Sequence, residues 1–102
     1  MYLNKLKLEN FRNYKEQEVD LINGINLFLG QNAHGKTNII EAIYICAFGK
    51  SYRATKDVEL INYDYPCDYC KVNLEYTKND VVHTTDFYID QMNRKQIKIR
   101  KF

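Results

Sequence analysis

The chain is 102 residues long, with 45% hydrophobic and 27% charged side chains, the make-up of one soluble globular domain with a modest core rather than a disordered or fibrous chain. No apolar run approaches the length of a membrane span, and the opening Met1–Leu8 lacks the uninterrupted apolar core of a secretion signal, so a cytoplasmic location is expected. A formal net charge of +2 is too small to argue for nucleic acid by itself.

Leu3 to about Glu9 alternates, with Leu6 and Leu8 on one face and Lys5, Lys7 and Glu9 on the other, which predicts a half-exposed strand. Asn10-Phe11-Arg12-Asn13 reads as a tight polar connection. Tyr14 to Leu21 alternates again, with Val19 and Leu21 inward, completing an antiparallel hairpin. Asn23-Gly24 supplies a turn into the apolar run Gly24–Leu29, a buried strand. Asn38–Phe48 reads as a mostly buried helix that Gly49 stops. Lys50–Asp57 is polar and basic, Asp57–Ile61 predicts a short helical turn, and Tyr63–Pro66 a loop. Three strands follow, Val72–Thr77, Val81 to about Asp90 and the strongly basic Lys95–Lys101, joined by turns at Lys78–Asp80 and Gln91–Arg94.

Three cysteines, an odd number in a short chain, suit a reducing compartment better than a disulfide framework. Cys46 falls in the helix as a small core residue. Cys67 and Cys70 have the spacing of half a zinc site, but closure needs two more ligands, and His34 of the two histidines is poorly placed. A redox pair would have its second cysteine open a helix, whereas a strand follows Cys70, so the expected role is structural or incidental.

The stretch around which everything else is arranged is Gly30-Gln31-Asn32-Ala33-His34-Gly35-Lys36-Thr37, which fits G-x-x-x-x-G-K-[ST]. Gly30 and Gly35 let the backbone curl closely round an anion, turning its N–H groups inward. Lys36 is expected to reach the β- and γ-phosphates of a nucleotide, and the Thr37 hydroxyl to be a ligand for Mg²⁺. A strand before and a helix after are the context this loop requires, and a helix N-terminus also favours phosphate. Hydrolysis needs in addition an acid at the end of an apolar strand. The nearest candidate, Asp90 after Phe87-Tyr88-Ile89, reads more simply as opening a turn. Only one strand–helix unit is present, whereas a parallel crossover needs a second strand. The chain therefore reads as the first part of a larger domain, ending abruptly at Phe102.

Lys5-Leu6-Lys7-Leu8-Glu9-Asn10-Phe11-Arg12-Asn13-Tyr14, then Gly30–Asn38, Glu41-Ala42-Ile43-Tyr44 and Gly49-Lys50-Ser51-Tyr52-Arg53, in this order and spacing, resemble the N-terminus of the RecF family of bacterial recombination-mediator ATPases. The resemblance implies an α/β fold, the N-terminal part (residues 1–102) of a P-loop NTPase head of ABC-ATPase/SMC type, with antiparallel strands flanking one strand–loop–helix unit. It implies that Arg12 and Asn13 lie near the nucleotide, and that Arg53 approaches the phosphates as a catalytic residue beside Lys36. It further implies ATP and Mg²⁺ as cofactors, an ATP-dependent homodimer, double-stranded DNA near single-strand gaps as target, and RecR with RecO as partners in loading recombinase. His34 and Tyr52 depart from the usual glutamine and histidine at their positions. The family's Walker B acid and signature lie beyond Phe102, so catalysis is expected only once those residues complete the site. Two other readings stay open: a small nucleotide-binding module without turnover, and the head of another SMC-like repair ATPase. Lys95, Lys98, Arg100 and Lys101 offer a basic edge to DNA phosphates, or a charged edge that blocks aggregation.

Overall fold

The computed structural model describes residues 2–21, 33–62 and 67–102. The turn and strand expected over 22–29, loop positions 30–32 and the loop at 63–66 lie outside the described residues. In chain order the elements are β1 (Tyr2–Phe11), β2 (Tyr14–Asp20), α1 (Ala33–Phe48), a 3-10 turn (Asp57–Leu60), β3 (Tyr69–Lys78), β4 (Val81–Asp90) and β5 (Lys95–Lys101).

The strands at the two ends of the chain form a single sheet, ordered β2-β1-β3-β4-β5, in which every neighbouring pair is antiparallel. Alternation gives the sheet one apolar face. Leu6 lies between Val19 and Leu74, and Leu74 stands opposite Thr85. One row over, Leu8, Val72, Phe87 and Ile97 follow one another across four strands. Helix α1 buries Ile39, Ala42 and Ile45 against this face, the spacing of one helical stripe. Ile40 and Phe48 are exposed, so the helix is buried along one side rather than mostly buried.

Three boundaries depart from the sequence expectation. Strand β1 runs on to Phe11, which is fully buried and pairs with Tyr14; the connection is therefore Arg12–Asn13 alone. Arg12 holds φ +53°, a left-handed conformation that is costly for a bulky residue and concentrates at functional sites. Helix α1 starts at Ala33, inside the glycine-rich motif and not after it, because a phosphate loop closes by winding directly into the first helical turn. Strand β3 begins at Tyr69, earlier than Val72, since Tyr69 and Cys70 pair with Asp90 and Ile89.

The remaining punctuation follows the sequence. Gly49 takes φ +78° and donates its N–H to the Ile45 carbonyl at 2.7 Å, the left-handed stop expected of a glycine there. Asn79 and Asp80 both take positive φ, the two-residue hairpin turn that short polar side chains tolerate. The 3-10 turn is locked beside the β1–β2 hairpin: Arg12 donates its N–H to Leu60 (2.8 Å), and Asn62 donates to Asn10 (2.7 Å). That clasp brings the Arg12–Asn13 turn to the helix.

Candidate functional site

A charge interrupts the buried stripe of α1. Glu41 has no solvent exposure, in a run that is otherwise apolar on both sides, and carboxylates are almost never found so deep unless paired. Two segments converge on it. From the β1–β2 turn, Arg12 donates Nε to Oε1 (2.9 Å) and Nη2 to Oε2 (2.7 Å), the two-pronged guanidinium–carboxylate geometry. From beyond the helix, Arg53 donates Nη2 to Oε1 (3.0 Å) and Ser51 donates its hydroxyl to Oε2 (2.5 Å). Ser51 also accepts the N–H groups of Arg53 (3.1 Å) and Ala54 (3.0 Å).

Asn38, one turn before Glu41, closes a ring. Its side-chain amide donates to Asn13 at 2.9 Å and its oxygen accepts a second bond from Arg53 Nη2. Asn13 follows Arg12 in sequence, so the ring passes from the hairpin turn to the helix, on to the segment after the helix, and back. Glu59 braces its outer side, with its carbonyl accepting Arg12 Nη1 at 3.5 Å and its carboxylate accepting the Thr55 N–H at 3.0 Å.

Burial alone would push the Glu41 carboxyl up, but hydrogen bonds from Arg12, Arg53 and Ser51 outweigh it and hold the group down at about 2, against an ordinary 4.5. A carboxyl lowered on folding binds fewer protons in the native state than in the unfolded one over that interval. Its contribution is therefore complete above pH 4.5 and lost as pH falls through about 2. The interval corresponds to about 3 kcal/mol. Acid unfolding should accordingly steepen between pH 4.5 and 2, and the steepening should be absent from Glu41→Gln; equal profiles for the two proteins would contradict this assignment.

Two guanidiniums share this one carboxylate. Arg53 spends both hydrogens of Nη2 on Glu41 and Asn38, and its Nε and Nη1 have no partner among the described residues. Asn38 and Glu41 are the sixth and ninth of the sixteen residues of α1, so the cluster lies beside the middle of the helix; the first N–H groups, at Ala33 onward, have no intrahelical acceptor. No acidic residue occupies that first turn to offset the positive end of the dipole. A helix start without an acid favours an anion.

The structure brings Arg12, Asn13 and Arg53 together around Asn38 and Glu41. Ala33, His34, Gly35 and Lys36 form its first turn as backbone, Thr37 follows half-buried, and Gly30, Gln31 and Asn32 lie outside the described residues. Sequence reasoning assigned no role to Glu41, Asn38 or Ser51. The signal available was a lone acid in Ile39-Ile40-Glu41-Ala42-Ile43 at a stripe position, which demands a buried cation.

Asp90 is claimed by its own turn: it accepts Arg94 Nε (2.8 Å), the N–H groups of Met92 and Arg94 (3.0 Å each) and the Tyr88 hydroxyl (3.1 Å). Cys70 is buried and Cys67 donates to the Asn62 carbonyl at 3.3 Å. Burial pushes both thiols up, Cys70 to about 12, which fits packing better than thiolate chemistry. Among the described residues no group of three or more His, Cys, Asp or Glu is placed to hold a metal, and no helix is long and apolar enough to cross a membrane.

Residues 5–101 match the family model described as AAA domain. Over 74 residues the chain is 54% identical to the DNA replication and repair protein RecF of Clostridium kluyveri, covering 72% of this chain and 20% of that protein. Over 99 residues it is 43% identical to the protein of the same name from Clostridium beijerinckii, covering 97% of this chain and 26% of that one. A solved structure of the recombination mediator protein RecF-ATPrS in the RecFOR pathway superposes with a TM-score of 0.77 at 28% identity, over 99% of this chain and 28% of that one. The SMC head domain of Thermotoga maritima gives 0.67 at 19% identity, over 98% of this chain and 37% of that one, a likeness of fold alone.

Antiparallel sheet, overlying helix and these matches define the class: the N-terminal part of a P-loop NTPase head of the AAA and ABC/SMC type. The chain spans only 20% and 26% of the lengths of the two relatives. Within the class it belongs to the RecF family, as its N-terminal ATPase region.

Proposed function

We propose that this chain is the ATP-binding segment of a DNA replication and recombinational repair protein that acts on DNA at single-strand gaps and helps to load recombinase. The observation that carries the reading is the Arg12–Glu41–Arg53 cluster on the helix that the Gly30–Thr37 motif opens. The backbone of Gly30, Gln31, Asn32, Ala33, His34 and Gly35 would cradle the phosphates, and Lys36 would meet the β- and γ-phosphates. Arg53 would offer Nε and Nη1 to phosphate oxygen, with Arg12 and Asn13 beside it. Thr37 would hold Mg²⁺, which when bound neutralises charge developing on the phosphates. Residues 1–102 are then one part of a head domain, whose turnover waits on an acid that the described residues do not place here. Saturable ATP binding that weakens when Mg²⁺ is chelated tests the reading; an absence of binding overturns it.

The names of the relatives support DNA as the target, and the RecFOR pathway named for a solved relative supports RecR and RecO as partners; a second copy of the protein as partner rests on the family resemblance alone. The basic strand supports a DNA contact too, though not as one edge of four cations. Pairing places Lys95 and Lys101 on the helix side with Ile97 and Ile99, and Lys98 and Arg100 on the opposite face. Lys95 is already engaged, with Asp57 at 3.1 Å and the Phe87 ring at 5.6 Å. The DNA-facing set is therefore Lys98 and Arg100, with Lys71 lining the same hollow. Replacing Lys98 by alanine should weaken duplex binding about equally for all sequences and reduce the salt slope by about 1. An unchanged slope, measured by titration across salt concentrations, would move the DNA contact elsewhere.

A further inference from the structure

We propose that Glu41 is a positioning residue for this site: a single buried carboxylate that fixes Arg12 and Arg53 together and so aims Arg53 at a bound phosphate. The inference rests on the nucleotide-binding reading above. Glu41 is fully buried, whereas its two cations keep side-chain exposures of 19% for Arg12 and 36% for Arg53, so the second guanidinium is not a buried charge that the fold has to match. Here two guanidiniums meet it, and each is held in a way that stability alone does not require.

Arg53 is anchored at both ends to the same point. Its Nη2 is spent on Glu41 and Asn38, while its backbone N–H is fixed by the Ser51 hydroxyl, which itself donates to Glu41. With main chain and Nη2 both fixed, the planar guanidinium has one remaining orientation for Nε and Nη1. Arg12 is set by the same carboxylate through two bonds, on a backbone held at φ +53°. Glu41 thus converts two flexible side chains into a fixed fork, which removes the ordering cost from the binding step.

A double-mutant cycle on ATP affinity separates aiming from general stabilisation. The full chain is compared with Glu41→Gln, Arg53→Ala and the double variant, with the melting of each recorded. Arg53→Ala is expected to weaken binding at least about tenfold, the loss of one charge-assisted contact. If Glu41 acts through Arg53, Glu41→Gln produces a comparable loss and the double variant is no worse than the weaker single. Losses that multiply overturn the proposal, because they show that Glu41 acts without the arginine. If Glu41→Gln does not fold, the cycle is run with Ser51→Ala, which keeps every charge but releases the Arg53 backbone; a few-fold loss that vanishes in the Arg53→Ala background supports the proposal, and independent losses overturn it. An unsubstituted chain that binds no ATP defeats the nucleotide reading and the proposal with it, whereas ATP binding with multiplicative losses defeats the positioning role alone.

Discussion

Replacing Lys36 with alanine is expected to remove ATP binding from this chain while leaving its melting temperature nearly unchanged. Lys36 occupies the first turn of α1 as backbone, five residues before Glu41 and not, by sequence, part of the buried stripe. Its proposed task is to place an ammonium against two phosphates in a partly desolvated cradle. Loss of one partner from such a charge pair costs roughly 2–5 kcal/mol, at least about a 30-fold fall in affinity. Surface truncations away from packed or paired groups shift stability by only about 0.5 kcal/mol. Calorimetric titration with ATP and thermal melting, run on both proteins, read the two quantities separately. Intact affinity in the variant would show that nucleotide binds elsewhere, and lost affinity with a large drop in melting would show a structural role for Lys36.

Glu41→Ala should behave in the opposite way, with a large loss of stability. The substitution leaves two guanidiniums facing a hole, at side-chain exposures of 19% for Arg12 and 36% for Arg53. Breaking a buried pair from one side costs about 3–5 kcal/mol, a large part of the roughly 5–15 kcal/mol that keeps a domain folded. The half-exposed Arg53 can turn to water and recover part of the loss, so the lower half of that range is expected. Denaturant unfolding gives the difference directly. A change below about 1 kcal/mol would mean that the carboxylate contributes little to the junction of hairpin, helix and following segment.

Much of this arrangement was legible in the residues. Period-two alternation found all five strands because polar and apolar residues take turns along each, and Gly49 marked the end of α1 because left-handed backbone favours glycine. Pairing of β1 with β3 was not legible: it joins residues more than sixty positions apart, and alternation says which face a strand buries but not its neighbour. Phe11 was read as turn because its neighbours are polar, while its burial depends on the tertiary clasp with Leu60 and Asn62. The split of the basic strand into two faces followed from the same alternation that identified it, yet counting charges concealed it.

The site shows the same division. The phosphate loop announces itself in sequence because backbone geometry and lysine chemistry restrict the residues that can form it. Arg12, Asn13 and Arg53 carry no such restriction and were placed by family resemblance, and the structure brings them together on Asn38 and Glu41. Glu41 became visible only with packing, since its role depends on two cations arriving from distant segments.

The central claim is that a triphosphate binds at the start of α1 with the arginine fork beside it. The most direct measurement is a titration of the isotopically labelled chain with ATP and Mg²⁺, following backbone amides and arginine Nε signals by nuclear magnetic resonance. The account predicts saturable shifts concentrated at residues 30–37 and at the Nε of Arg12 and Arg53, with little change along β2 and β5. Shifts that do not saturate, or that centre on β5 and leave residues 30–37 and Arg53 unmoved, would contradict it.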